Sequence, residues 1–420
     1  GTIVLKTTTT DAYPMKLAPL VVKDKAIIGA HSAGVAACCG PVFAVNTSTG
    51  NKLWQFDTVS SDAQPLKIDE GNVANSIGGG VWVTGSYDFD SNTVWLGTAA
   101  PAPRLDWAGE QWRSEGARPG ANLYTSSVIA LNADTGKLVS HFQEVPHDVW
   151  GFDAGGEHMF FERDGKRYAL HPNKSGFVYV YERDLNSQPL KPANIWRLNK
   201  YSNFVHSIEA KTGTLIGRRD LPMGKHLNVC PSSDGAIGHS AGALSPRTGM
   251  YYKVAREWCS NIELTQLANA DTTQSPQPPQ PPQHPQLSST WQLAHPQGRM
   301  AFGHLSARDP VSGALMWERE YAQPPAADLL TTGGQLLFVP HADGRFEALD
   351  ARNGKTLWTH NNGLAHEGGV ITYAVEGKQY VAVVTGWGTD SAGSYAKLWG
   401  EPFTSMPTDA GQLIVFALPR

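Results

Sequence analysis

The chain has 420 residues, 41% of them hydrophobic and 17% charged, with 43 glycines, 28 prolines, 13 tryptophans and a formal net charge of −4. That balance, without any lysine and arginine run able to follow a phosphate backbone, excludes nucleic acid as a partner. No apolar run of about 18 residues is present to span a membrane, and the opening GTIVLKTTTT carries neither the basic nor the apolar region of a secretory leader. Length alone allows two or three domains, but so much glycine and tryptophan fits one large all-β domain over residues 1–420.

In chain order, the first unusual stretch is HSAGVAACCGPVFAVNTSTGNKLW, residues 31–54, where Cys38 and Cys39 are adjacent. Neighbouring Cα atoms sit about 3.8 Å apart, below the roughly 4.4–6.8 Å of relaxed disulfides, so a Cys38–Cys39 bond would close a strained, rigid and apolar ring. The other reading of the pair is two reduced, buried thiols behaving as small hydrophobes. Next, residues 76–107 hold a three-glycine run followed by Trp82, which offers a flat face for stacking or for core packing. Residues 143–158, QEVPHDVWGFDAGGEH, gather His147, Asp148, Asp153, Glu157 and His158. Such a cluster can supply metal ligands, or carboxylates that cap turns on a solvated loop. Cys230 and Cys259 flank strand-like runs in the layout of a stapled hairpin, and the even cysteine count favours an oxidising compartment. Residues 272–290 are rich in Pro and Gln and read as an extended surface loop between blades, outside any sheet ladder.

One pattern recurs through these segments: FAVNTSTGNKLWQF, IALNADTGKLVSHF, HSIEAKTGTLIGRR, SARDPVSGALMWER and EALDARNGKTLWTH. Each copy reads as a strand, a polar turn with a glycine suited to positive φ, and a second strand that often carries Trp. The marker glycines are Gly50, Gly136, Gly213, Gly313 and Gly354, with a weaker copy at Gly249. The shortest interval is close to one propeller blade and the others to two, which predicts a β-propeller of six to eight four-stranded blades docked through tryptophans. No helix of persuasive length is predicted.

GVWVTGSYDFDSNTVWLGTAAPAP, RPGANLYTSSVIALNADTGKLVSHFQEVPHDVWGFDAG, HPNKSGFVYVYERD and QYVAVVTGWG together resemble the pyrroloquinoline quinone (PQQ) dependent alcohol dehydrogenases, the methanol dehydrogenase-like quinoproteins. The similarity follows the family's order over most of the chain. It implies an eight-bladed propeller in a periplasmic or secreted setting, with PQQ between a tryptophan floor and a vicinal disulfide formed here by Cys38 and Cys39. It further implies a Ca²⁺ or lanthanide ion beside the quinone, a small alcohol as substrate and a cytochrome c-type electron acceptor. By the same resemblance Trp82 is the stacking floor, and Ser32, Ala33 and Gly34 form the loop that holds the cofactor's carboxylates. Lys174 contacts the quinone oxygens, Trp387 walls the substrate cavity, and Cys230–Cys259 is a second disulfide.

Several positions depart from the family's pattern. Val35 and Ala100 stand where metal-binding Glu and Asn are expected, Gly151 replaces the catalytic Asp, and Ala121 replaces the Asp of GDNLY. The chain also begins late relative to the pattern, so a preceding blade is expected to be missing. Asp153 remains, at the place of the additional Asp of lanthanide-using relatives, and is the candidate base and metal ligand. Two functions follow: a PQQ-dependent alcohol oxidoreductase with a reorganised site, or a non-catalytic propeller of quinoprotein descent that binds or scaffolds.

Overall fold

A computed structural model describes residues 15–30, 40–59, 66–68, 72–74, 77–102, 120–183, 190–222, 224–266, 287–388 and 390–417. Five four-stranded antiparallel meanders occupy residues 20–57, 86–143, 159–197, 243–321 and 330–361, and a three-stranded sheet covers 370–417. Among the described residues these six blades in series make up the β-propeller that the repeats predict. A separate three-stranded sheet is built from Gly224–Val229, Cys259–Gln266 and Leu287–Ala294.

The recurring turns share one chemistry. Asn46, Asn132 and Asp309 each accept two backbone N–H groups through a side-chain oxygen, at Ser48 and Thr49, Asp134 and Thr135, and Val311 and Ser312. The marker glycines then close the turn at positive φ, 74° at Gly50, 69° at Gly136 and 74° at both Gly313 and Gly354. The copy around Gly213 keeps this turn but supports only the two-residue strands Ser207–Ile208 and Leu215–Ile216. Gly249 also keeps it, between the first two strands of the fourth blade rather than the last two.

Tryptophan seams join the blades. Trp54 of the first blade lies against Gly136 of the second, and its indole N–H donates to the Ala133 carbonyl at 3.1 Å. Trp196 of the third blade meets Gly313 of the fourth and donates to Pro310, while Trp317 of the fourth meets Gly354 of the fifth and donates to Ala351 at 3.0 Å. In each seam the acceptor lies three residues before the glycine, so one turn supplies both the hole and the hydrogen bond. The last sheet packs Val370, Val381 and Val383 against Phe338, Phe346 and Ala348 of the fifth blade. Strand alternation leaves Ile371, Tyr373, Val375, Val384, Leu413 and Val415 exposed.

Antiparallel connectivity sends the chain's loops to opposite ends. The Asx–Gly turns leave one end, whereas connections between second and third strands, and those between successive blades, leave the other. That second end carries every long connection among the described residues. Two expectations change here. Leu287–Thr290, from the Pro/Gln-rich stretch, pair with Glu263–Gln266, because Leu-Ser-Ser-Thr lies past the last proline and suits a strand. Both strands of that pair are inserted within the fourth blade, between its second and third strands, rather than between blades, while the sheet's remaining strand, Gly224–Val229, precedes the blade. A helix, Asp390–Trp399, sits between two strands of the last sheet. Its short, serine- and glycine-containing sequence buries Ala392, Tyr395 and Leu398 on one face, too brief a stripe to stand out in the sequence.

Candidate functional site

The loop end brings Trp82, Asp153 and Lys174 together from three different connections. Trp82 is half-buried on the segment entering the second blade, whose backbone is laced to the neighbouring 98–102 stretch by Ala99 N–H donating to Gly80 at 2.8 Å. Gly155 lies so close to the indole that a Cβ there would stand 2.6 Å from Cζ2. The glycines beside Trp82 thus open the space that the indole fills.

Asp153 follows a loop organised by Asp148, which is fully buried. Asp148 accepts the N–H groups of Trp150, Gly151 and Phe152, at 2.7, 3.1 and 2.6 Å, and the Ser126 hydroxyl at 3.0 Å. It acts as the cap foreseen for that cluster, but inside the protein rather than on a solvated loop. Asp153 then points at the site, where Oδ1 accepts the Ala100 N–H at 2.6 Å and Oδ2 faces Lys174 Nζ at 3.0 Å. Both side chains are about seven-eighths buried, at 13% and 15% exposure. Water screens such a pair poorly.

Lys174 sits in the tight turn between the second and third strands of the third blade. Buried Glu144 fixes that turn by accepting from Asn173 Nδ2 at 2.7 Å and from the Tyr181 hydroxyl at 2.7 Å, with His171 Nδ1 at 2.9 Å. Gly235 presses on the lysine stem, and Ala236 N–H donates to the Lys174 carbonyl at 2.9 Å. The ammonium stands 5.7 Å from the Trp82 ring centroid. A flat aromatic floor with a cation above it suits a planar, anionic molecule.

The other members of the His/Asp cluster go elsewhere. Glu157 meets Lys253 at 2.7 Å, the Tyr251 hydroxyl at 2.6 Å and Gly242 N–H at 2.8 Å. Burial alone would raise its carboxyl, but Lys253 and these hydrogen bonds hold it below the usual range. His158 stacks on His171 at 4.5 Å, and burial pushes it well below the ordinary histidine value, which keeps it neutral. His147 faces the Gly120 carbonyl at 2.9 Å. Among the described residues no group of three or more His, Cys, Asp or Glu side chains is placed to share a metal ion.

Cys230 and Cys259 are bonded, with Cα atoms 4.4 Å apart at the end of the Val229–Ser260 ladder. Trp387 is 5% exposed, and its ring partners are Tyr395 at 5.7 Å and Phe403 at 5.6 Å rather than Trp82. Ser32, Ala33, Gly34, Val35, Cys38 and Cys39 lie outside the described residues. His239, edge-on to Trp82 at 5.9 Å, escaped the sequence reading. Its signal was available: SSDGAIGHSAG is a small-residue run before a blade's first strand, as the Trp82 and Asp153 loops are.

Comparison with known proteins agrees with this architecture. The PQQ family described as glucose/ethanol/alcohol dehydrogenase, beta-propeller domain, matches residues 1–194 and 185–381. The chain belongs to this quinoprotein family. Quinoprotein alcohol dehydrogenase PedH of Pseudomonas putida is 29% identical over 440 residues, covering 98% of this chain and 69% of its own. The quinohemoprotein alcohol dehydrogenase of Comamonas testosteroni is 30% identical over 394 residues, covering 88% of this chain and 53% of its own. A solved europium-containing methanol dehydrogenase superposes with a TM-score of 0.78 at 25% identity, over 96% of this quinoprotein and 74% of that one. The chain therefore spans only part of each relative's length. No described helix is long and apolar enough to cross a membrane.

Proposed function

We propose that this quinoprotein oxidises a small alcohol with PQQ bound on the Trp82 face, and that the reading rests on one observation: the Asp153–Lys174 ion pair held beside that face. The residues fit a planar polycarboxylate, because Trp82 supplies a stacking surface opened by Gly155 and Lys174 supplies a cation. PQQ, when bound, provides the two-electron acceptor for the hydride leaving the alcohol carbon. Lys174 Nζ orients and polarises the bound molecule's oxygens, and Asp153 Oδ2 takes the hydroxyl proton. The surrounding burial keeps both charges strong at short range.

A Ca²⁺ or lanthanide ion fits less well. Such ions take six to eight oxygens. Here Asp153 already serves an amide and an ammonium, and Ala100 and Gly151 offer no side-chain oxygen. No step is therefore assigned to a metal. We read residues 1–420 as one propeller domain, periplasmic or secreted, passing electrons to a cytochrome c-type acceptor.

The second reading, a quinoprotein-derived binding propeller without turnover, is favoured by that same engagement of both Asp153 oxygens, which makes the carboxylate a staple between connections. Reconstitution with PQQ, an artificial electron acceptor and a panel of primary alcohols separates the two. Turnover is expected, and Asp153→Asn is expected to lower it by about 10²-fold or more. PQQ binding without turnover leaves the binding propeller, and absence of PQQ binding removes the cofactor from both.

A further inference from the structure

Arg256 is the penultimate residue of the second strand of the fourth blade, at the loop end, and is 5% exposed. Its backbone N–H donates to the Ala236 carbonyl at 2.7 Å, but among the described residues its guanidinium has neither a carboxylate nor a hydrogen-bond acceptor. Its contacts are the face of Trp258, 5.1 Å from ring centroid to guanidinium carbon, and Gly238, where a Cβ would stand 2.6 Å from Nη2. Other enclosed cations of this quinoprotein are matched by carboxylates: Arg183 pairs with Asp88 at 2.7 Å, Lys253 with Glu157 at 2.7 Å and Lys25 with Asp24 at 2.6 Å. A guanidinium so largely enclosed, with no counter-charge among the described residues and only the edge of its side chain open to water, is not explained by fold stability.

Its position points to the site. Gly238 precedes His239, whose ring meets Trp82. On the other side Trp258 contacts Tyr395 at 6.0 Å, which contacts Trp387 at 5.7 Å. Arg256 thus lies between the Trp82 floor and the aromatic cluster around Trp387. A planar guanidinium presents paired N–H donors spaced to meet the two oxygens of a carboxylate.

We propose that Arg256 is a carboxylate-binding residue beside the Trp82 floor. This rests on the cofactor reading above, and the carboxylate has two sources. It belongs to PQQ itself, or to a substrate that carries an acid group beside its hydroxyl, so that the quinoprotein acts on hydroxy acids in preference to neutral alcohols.

The test compares wild type, Arg256→Lys and Arg256→Met. Because the charge has no partner in the fold, Arg256→Met is expected to unfold at the same or a higher temperature than wild type, whereas a structural arginine would lower it. PQQ binding is followed by quenching of tryptophan fluorescence, and glycolate and ethanol are compared as substrates. A PQQ dissociation constant at least tenfold weaker in Arg256→Met, with Arg256→Lys between, assigns the cofactor's carboxylate. An unchanged PQQ constant, with glycolate kcat/KM falling at least tenfold relative to ethanol, assigns the substrate's. If nothing is turned over, calorimetric titration of glycolate into the PQQ-loaded protein replaces the kinetics. The proposal is overturned if the variants match wild type in both ligands, or if wild type binds neither; PQQ binding that depends on Arg256 without turnover would sink the oxidoreductase reading alone.

Discussion

Trp54 and Trp358 occupy equivalent places in equivalent hairpins and meet different fates. GNKLW and GKTLW run from marker glycine to tryptophan, and in both the tryptophan pairs with an alanine, Ala44 or Ala348, beside a one-residue bulge. Trp54 is 8% exposed and donates into the second blade, whereas Trp358 is 40% exposed and rests on Phe416 at 5.1 Å. The difference lies in the receiver. Among the described residues the last sheet has three strands, and therefore no turn between third and fourth strands to offer a glycine and a carbonyl. Docking belongs to a pair of blades rather than to the motif that announces it.

The sharpest way to break this comparison is truncation. Trp54→Ala is expected to lower the unfolding free energy by about 3–5 kcal/mol, the usual range for a buried aromatic, measured by urea denaturation. A loss below about 1 kcal/mol would show that the seam carries little. Gly136→Val should come next, at about 2–4 kcal/mol, from overpacking against Trp54 together with a branched side chain at positive φ. In the Trp54→Ala background the same substitution should cost only about 1–2 kcal/mol, the backbone share; full additivity would deny the contact.

Acid should loosen the last seam. Burial pushes His366, packed on Phe346, down to about 4. The folded state therefore resists a proton that the unfolded chain accepts near pH 6.5, so stability falls as pH drops from about 6.5 through 4 and is unaffected above that window. The loss should be on the order of 1–3 kcal/mol, and His366→Asn should flatten that part of a stability-versus-pH profile. Smallest of all, Trp358→Ala should cost no more than about 1 kcal/mol, since water already reaches the ring. A cost equal to that of Trp54→Ala would mean that this tryptophan is docked after all.

The same contrast explains what sequence alone could reach. Turn chemistry is local, so Asn46, Gly50, Asn132 and Gly136 announce their hairpins within a few residues, and the propeller follows from their repetition. The site is assembled from connections far apart in the chain: the glycine run marked Trp82 as a stacking face or a core residue without deciding between them, and only family resemblance nominated Lys174. Nothing near Asp153 foretold that the Ala100 amide would occupy one of its oxygens, because a backbone donor leaves no trace in residue identity. Arg256 was invisible for a related reason: a missing partner has no letter. The helix beside Trp387 was lost because ten residues give an amphipathic stripe too few turns to register.

The seam indoles also make the ring a row of lamps. Trp54, Trp196 and Trp317 each sit at a different joint with the N–H tied to a peptide carbonyl, so each should emit at a wavelength set by its own joint's dryness. Opening one joint would admit water to one lamp and shift its colour before the others change. Variants that keep a single seam tryptophan would then tell, by emission alone, at which joint the ring first parts.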